Sequence, residues 1–197
     1  MAGELGYKIR LLGVAMRGDG GVVPRVHPTM VPANSAIARI DGVTNAVAIE
    51  GDFIGQTVLQ GPGAGGKATA SAVAGDIVDL ARGLNVKTFG VASDALVKFN
   101  RAGARPDARF YMRLTVADRA GVFASIAGHM AQNDISLESI VQRDADVTAG
   151  DDGMTGSKSI VIITHGTTRA AVDATLDAMR ADGYLLSDPQ MIRIEDF

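Results

Sequence analysis

Between residues 5 and 16, apolar Leu5, Tyr7, Ile9 and Leu11 alternate with Gly6, Lys8 and Arg10, a period of two that predicts a half-buried strand. A turn follows at Arg17 to Gly21. Val22 to Pro32 carries prolines at 24, 28 and 32, which restrict it to an edge strand or a polyproline-like stretch. Asn34 to Ile40 reads as a short helix. Asn45 to Glu50 and Ile54 to Leu59 read as a hairpin around Gly51 and Asp52, residue types that tolerate positive φ. From Thr69 to Arg82 the period becomes helical: Ala70, Val73, Ile77 and Leu80 share a face, Asp76 and Asp79 lie on another, Thr69 is the expected N-cap and Gly83 the expected stop.

Periodicity fades from Leu84 to Asp107, and Arg101, Gly103, Arg105 and Pro106 give that stretch the composition of a linker. The rest reads as two strand–helix–strand copies. Phe110, Met112, Leu114 and Val116 form the first strand, and Val122, Ile126 and Met130 line a helix closed by Asn133. Strands follow at Ile135 to Gln142 and Ser159 to His165, joined by a polar loop from Asp144 to Lys158. A helix capped by Thr168 and ended by Gly183 carries Val172, Leu176 and Met179, and Gln190 to Ile194 is the last strand. The order βαββαβ is ferredoxin-like, predicting a four-stranded sheet with both helices on one face and edges open to a partner subunit. The expected organisation is residues 1–83, a linker at 84–107, and a unit at 108–197.

Composition narrows the chemistry. The 197 residues contain 47% apolar and 21% charged residues, the usage of a globular chain that buries a core. No apolar run reaches the roughly 18 to 20 residues of a membrane span, and the first eighteen residues lack the pattern of a secretion signal. The absence of cysteine removes disulfides, thiolate zinc sites and a cysteine nucleophile, and fits a cytoplasmic location. A net charge of −3, with no Trp, argues against a nucleic-acid binder. Small molecules and protein partners remain.

Gly61-Pro-Gly-Ala-Gly-Gly-Lys67-Ala68-Thr69 lies between a strand and a helix. As a P-loop it places Ala68 where the magnesium-binding hydroxyl belongs, with Thr69 about 100° further round the helix. Gly63-x-Gly65-x-x-Ala68 fits the dinucleotide spacing but follows a hairpin strand and lacks the acidic residue about 20 positions on. Three readings stand: a structural turn, close backbone approach to a ligand, and a P-loop. His27, His129 and His165 lack metal-ligand spacing, Lys8 and Arg10 read as a solvated face, and Ser71, Ser93 and Ser125 form no recognisable triad. The expected metal set is none.

Three ordered motifs carry a resemblance: Gly3-Glu4-Leu5-Gly6-Tyr7-Lys8-Ile9-Arg10-Leu11-Leu12-Gly13, Gly42-Val43-Thr44-Asn45-Ala46-Val47, and Gly61-Pro62-Gly63-Ala64-Gly65 with Thr69-Ala70-Ser71-Ala72-Val73. In these, residues 2–82 resemble homoserine dehydrogenase. Leu114 to Ile126, with Asp118 and Gly121, and Asn133 to Gln142 resemble the ACT domain that many bacterial members carry. The resemblance implies an α+β chain, in which the end of a homoserine dehydrogenase-type α/β substrate domain, with its returning helix, precedes the βαββαβ ACT domain. Arg10 stands where the family usually has Lys, and Ala120 where ACT domains commonly have proline.

The family's nucleotide domain, catalytic lysine and homoserine-binding acids lie ahead of the Glu-Leu-Gly-Tyr stretch, and no catalytic residue is assigned here. The resemblance places Gly65, with Gly63, beside NAD or NADP. It implies an effector site for a small amino acid, threonine first, at Asp118, Gly121, Asn133 and Gln142, in a homodimer or higher homo-oligomer. The activity implied is interconversion of homoserine and aspartate semialdehyde. The competing readings are a non-catalytic amino-acid-binding module and a P-loop protein.

Overall fold

The computed structural model describes residues 1–18, 21–98, 107–144 and 156–196. Its strands are β1 (Tyr7–Gly18), β2 (Gly21–Pro32), β3 (Thr44–Gly51), β4 (Gly55–Pro62), β5 (Arg109–Ala117), β6 (Leu137–Asp144), β7 (Ser157–Thr164) and β8 (Gln190–Ile194). Its α-helices are α1 (Gly66–Ala81), α2 (Val122–Gln132) and α3 (Arg169–Ala181). Strands β3 and β4 form a two-stranded sheet. The other six form one sheet in the order β1-β2-β8-β5-β7-β6.

The portion β5-α2-β6-β7-α3-β8 has the expected ferredoxin-like order. Even-numbered residues of β5, Phe110 to Val116, meet Ile160 and Ile162 of β7, Ile126 and Met130 of α2, and Val172, Leu176 and Met179 of α3 in one core. Each fully buried side chain of this size contributes about 1.5–3 kcal/mol. Strand alternation sends Tyr111, Val161, Ile163 and Ile194 to the opposite face, where Met30 of β2 joins them and Ala2, Leu5 and Tyr7 pack alongside. Helix α3 is capped by Thr168, whose Oγ1 accepts the Ala171 N–H at 3.1 Å, and Gly183 follows it at φ +70°. Helix α1 ends in a Schellman arrangement: Leu84 N–H donates to Asp79 O at 2.9 Å, with Gly83 at φ +76°.

The predicted four-stranded sheet is therefore a six-stranded one, because hairpin β1–β2 occupies the β8 edge. The proline restriction on β2 holds over most of its length but yields at Thr29 and Met30, which pair in parallel with Arg193 and Ile194. Other local expectations shift. The hairpin β3–β4 forms, with Gly55 rather than Gly51 or Asp52 at positive φ (+68°). Asn34 to Ile40 contains only a single 3-10 turn, Ile37–Arg39. Helix α1 begins at Gly66, so Thr69 is inside it and Gly65 is the N-cap. The 100–106 stretch of the linker, and 145–155 of the β6–β7 loop, lie outside the described residues.

Candidate functional site

The glycine loop is positioned by hairpin β3–β4, in which Asn45 pairs with Gly61 and Thr44 with Pro62. Its two singled-out glycines prove different. A Cβ on Gly63 would lie 1.6 Å from Asn45 Nδ2, so the Asn45 carboxamide already fills that space. Gly65 has φ +111° and ψ 151°, a region essentially confined to glycine, and a Cβ there would meet nothing within 4 Å. Gly65 O accepts the Thr69 N–H at 3.0 Å. No side chain caps α1 and no acidic residue lies in its first turn, so its positive end faces the open side of Gly65. The strand entering the loop is half of an antiparallel hairpin, which departs from the parallel sheet that P-loops and dinucleotide fingerprints require.

The apolar stripe of α1 is not covered by the described residues. Val73, Ile77 and Leu80 are 53%, 61% and 68% exposed, and no residue of the helix is buried. A 16-residue helix without tertiary support is marginal in water. Its composition is that of a helix that packs.

The four candidate effector residues do not all converge. Asp118 and Gly121 share the β5–α2 connection: Gly121 is the N-cap of α2 at φ +91°, and Asp118, exposed, caps nothing. Instead its Oδ2 lies 3.5 Å from Lys158 Nζ, which also donates to Asp144 Oδ1 at 2.6 Å. These contacts raise the lysine pKa, Asp144 contributing most, and the Lys158 hydrogen bond lowers that of Asp144. Asn133 lies at the other end of α2, its Nδ2 donating to His129 O at 3.0 Å while Asp134 takes the left-handed turn at φ +53°. Gln142 lies exposed on the outer strand β6, opposite Ile160. Lys158 escaped sequence reasoning because only strand register brings it to Asp118.

Two further clusters stand elsewhere in the fold. Asp182, just beyond α3, accepts from Ser125 Oγ at 2.5 Å and meets His129 Nε2 at 2.7 Å. The carboxylate sits between the other two, so this is a clasp between helices and not a serine–histidine relay. These contacts, Ser125 first, hold the Asp182 carboxyl below the usual carboxylate range. Arg10, expected on a solvated face, instead donates to Ala38 O at 2.7 Å and Asp41 Oδ1 at 2.6 Å, pinning the 3-10 turn to β1. Beside it, a cleft of about 780 Å³ runs between β1 (Leu11–Arg17) and β3 (Ala46–Glu50), with Glu195 and Asp196 in its wall. Among the described residues no cluster of three His, Cys, Asp or Glu could hold a metal, and no helix is long and apolar enough to cross a membrane.

Comparison with known proteins gives this arrangement its context. Residues 1–78 match the family model described as homoserine dehydrogenase. It is 34% identical to the homoserine dehydrogenase of Helicobacter pylori across 99% of this chain and 44% of that protein. It is also 34% identical to that of Neisseria gonorrhoeae across 98% of this chain and 45% of the relative. The crystal structure of a homoserine dehydrogenase from Thiobacillus denitrificans superposes with a TM-score of 0.83 at 35% identity, over 99% of this chain and 44% of the other. The Staphylococcus aureus structure, 23% identical with a TM-score of 0.59, shares the fold. The chain is thus similar over nearly its whole length to homoserine dehydrogenases, and spans less than half the length of the relatives it matches.

Proposed function

We propose that this chain is the portion of a homoserine dehydrogenase that completes the substrate domain (residues 1–83), lends the Gly65 backbone to NAD or NADP, and carries, after a linker at 84–107, an ACT-type regulatory unit (108–197). The observation that carries the reading is Gly65: a glycine-only conformation at an uncapped helix start, with open space where its Cβ would be. That cradle fits a dinucleotide, since the backbone approaches without a side chain and the helix end favours its phosphates. Asn45, packed on Gly63, sets the loop; the apolar stripe of α1 would pack beside the nucleotide domain. Held at the Gly65 loop, the cofactor would supply the hydride acceptor needed to oxidise the homoserine alcohol to the aldehyde. The lysine and acidic residues that orient homoserine in the family precede the Glu4-Leu5-Gly6-Tyr7 stretch. The residues of this chain thus position the reaction's partners but do not perform its proton transfer.

The regulatory unit is read as binding a small amino acid, threonine first, at the Asp118–Gly121 turn in a cytoplasmic homodimer or higher homo-oligomer. Exposed N–H groups and the start of α2 suit a carboxylate there, and Lys158 adds a positive charge beside Asp118. Asn133, engaged within α2, and Gln142 on the outer strand would complete the site across an interface.

Three measurements test the reading. The purified 197-residue chain is expected to show no homoserine oxidation with NAD or NADP, because orientation of both reactants supplies much of the barrier reduction; turnover that stays with the chain through purification overturns this. In a polypeptide that includes the nucleotide domain, Gly65→Val should raise the cofactor Kd while Tm barely moves, and the reverse pattern would reduce the loop to a turn. Calorimetric titration of threonine, serine, isoleucine and methionine should give heat with threonine. Heat from none at millimolar concentration, with a dimer seen by light scattering, would leave an assembly element.

A further inference from the structure

We infer that the consecutive carboxylates Glu195 and Asp196 are a latch that couples the position of hairpin β1–β2, and the cleft beside it, to the ferredoxin-like unit and its outer strand β6. The regulatory use of this latch rests on the function proposed above, whereas its existence does not.

The backbone joint between the two parts is short for a reason written in β2. Glu195 N–H donates to Met30 O at 3.0 Å, whereas Ala33 N–H donates the other way, to Gly6 O at 2.8 Å. Even-numbered residues of β2 therefore turn their backbone groups toward β8. Pro24, Pro28 and Pro32 are all even, and each lacks the N–H that would face that edge. Pro28 and Pro32 bracket Met30, so the ladder with β8 stops at Thr29–Arg193 and Met30–Ile194. Side chains must carry the rest of the joint.

They do so through two arginine hubs. The Glu195 carboxylate, only 8% exposed, accepts from Arg25 of β2 and from Arg193 Nε of β8 at 2.8 Å. Arg25 is 14% exposed, and its buried Nε and Nη1 have no hydrogen-bond partner among the described residues, so Glu195 supplies the counter-charge for a largely buried guanidinium. Asp196 places both carboxylate oxygens 3.0 Å from Arg109 Nη1. The same guanidinium donates to Tyr7 Oη at 2.8 Å and, through Nε and Nη2, to Glu138 of β6 at 2.8 and 2.6 Å. Burial opposes the charge, but hydrogen bonds to Asp196, Tyr7 and Glu138 outweigh it and raise the Arg109 pKa.

A continuous route thus runs from Glu138 on the outer strand through Arg109 to Tyr7 at the head of β1 and to Asp196, with Glu195 and Arg25 next to it. Both carboxylates also wall the cleft. A shift of β6, where Gln142 sits, moves Glu138 against Arg109 and so moves the hairpin; by linkage, a ligand in the cleft biases β6 equally.

Hydrogen exchange read by mass spectrometry on the full chain, without ligand, tests the latch. Asp196→Asn, Glu195→Gln and the double variant are compared with the wild type, and Arg109→Lys keeps charge while losing the forked contacts. The double variant is expected to exchange at least about 10-fold faster across β1 and β2, with β5 and β7 within about two-fold of wild type. Asp196→Asn, at the more exposed carboxylate, is expected to shift the same peptides partway and keeps the test alive if Glu195→Gln fails to fold. Unchanged exchange in the hairpin, or equal acceleration in β5 and β7, overturns the latch. Threonine calorimetry on the same proteins separates the two ideas: absence of heat removes the regulatory use, while the exchange result judges the latch itself.

Discussion

Alanine at Gly121 and at Gly128, two positions of the same helix region, should move stability in opposite directions. Gly121 holds φ +91° and ψ −17° at the start of α2, and its absent Cβ would meet no atom within 4 Å. Sterics with neighbours are therefore excluded, and the whole cost is the left-handed backbone, about 1–2 kcal/mol for an L-residue. Gly128 lies inside α2, again with open space at the Cβ position, and carries no positive φ. There alanine restores helix propensity worth about 0.5–1 kcal/mol. Because Ile126 and Met130 of the same helix are fully in the core, the start of α2 unfolds with the rest of the unit. At about 4–8 °C per kcal/mol for a domain of this size, Gly121→Ala should lower Tm by roughly 4–16 °C, and Gly128→Ala should raise it by roughly 2–8 °C. Thermal melts followed by circular dichroism measure both shifts, and urea titrations give the matching free energies, with an unchanged m-value showing that the same surface is exposed. Gly121→Asn should recover part of the loss, since asparagine tolerates the left-handed region. Equal Tm for wild type and Gly121→Ala would refute the assigned conformation, and a destabilised Gly128→Ala would show that a neighbour packs on α2.

Thr168→Ala removes the hydroxyl that accepts the Ala171 N–H and should cost about 1 kcal/mol in the same urea assay; no loss would mean that water caps α3 equally well. Asp182 should titrate below its ordinary 3.8 because Ser125 and then His129 favour its charged form. A group whose folded pKa is depressed stabilises the fold above its unfolded value and loses that contribution as pH falls through the folded one. NMR titration of Asp182 should therefore show its midpoint under 3.8, moving up toward that value in Ser125→Ala; an unmoved midpoint would sink the assignment.

The ferredoxin-like half was legible because each element advertises itself locally. Alternation along Phe110 to Val116, helical spacing of Val172, Leu176 and Met179, and the cap Thr168 agree with the structure, since the same residues face one core and fix the local backbone. The glycine loop was legible as a loop. Its two glycines were indistinguishable in sequence, because what separates them is the Asn45 side chain, brought up by hairpin register from outside the loop. Likewise α1 announced an apolar stripe, yet no pattern within the helix tells whether the chain supplies the surface that covers it.

The sequence by itself determined the period of each segment, the places where only glycine or a capping hydroxyl suits the backbone, and the motifs of the homoserine dehydrogenase family. Those are properties of near neighbours along the chain, governed by backbone sterics and by which face a side chain takes. The tertiary structure alone decided that β2 joins β8, that Lys158 meets Asp118, and that Arg25 finds Glu195 across 170 positions. Even the prolines of β2, read from sequence as a sign of an edge, gained their meaning there: Pro28 and Pro32 bracket Met30, and the short ladder with β8 forms at Thr29 and Met30. Pairings between distant segments depend on which partners share a register and on how much water their burial expels, quantities that exist only once the chain has closed on itself.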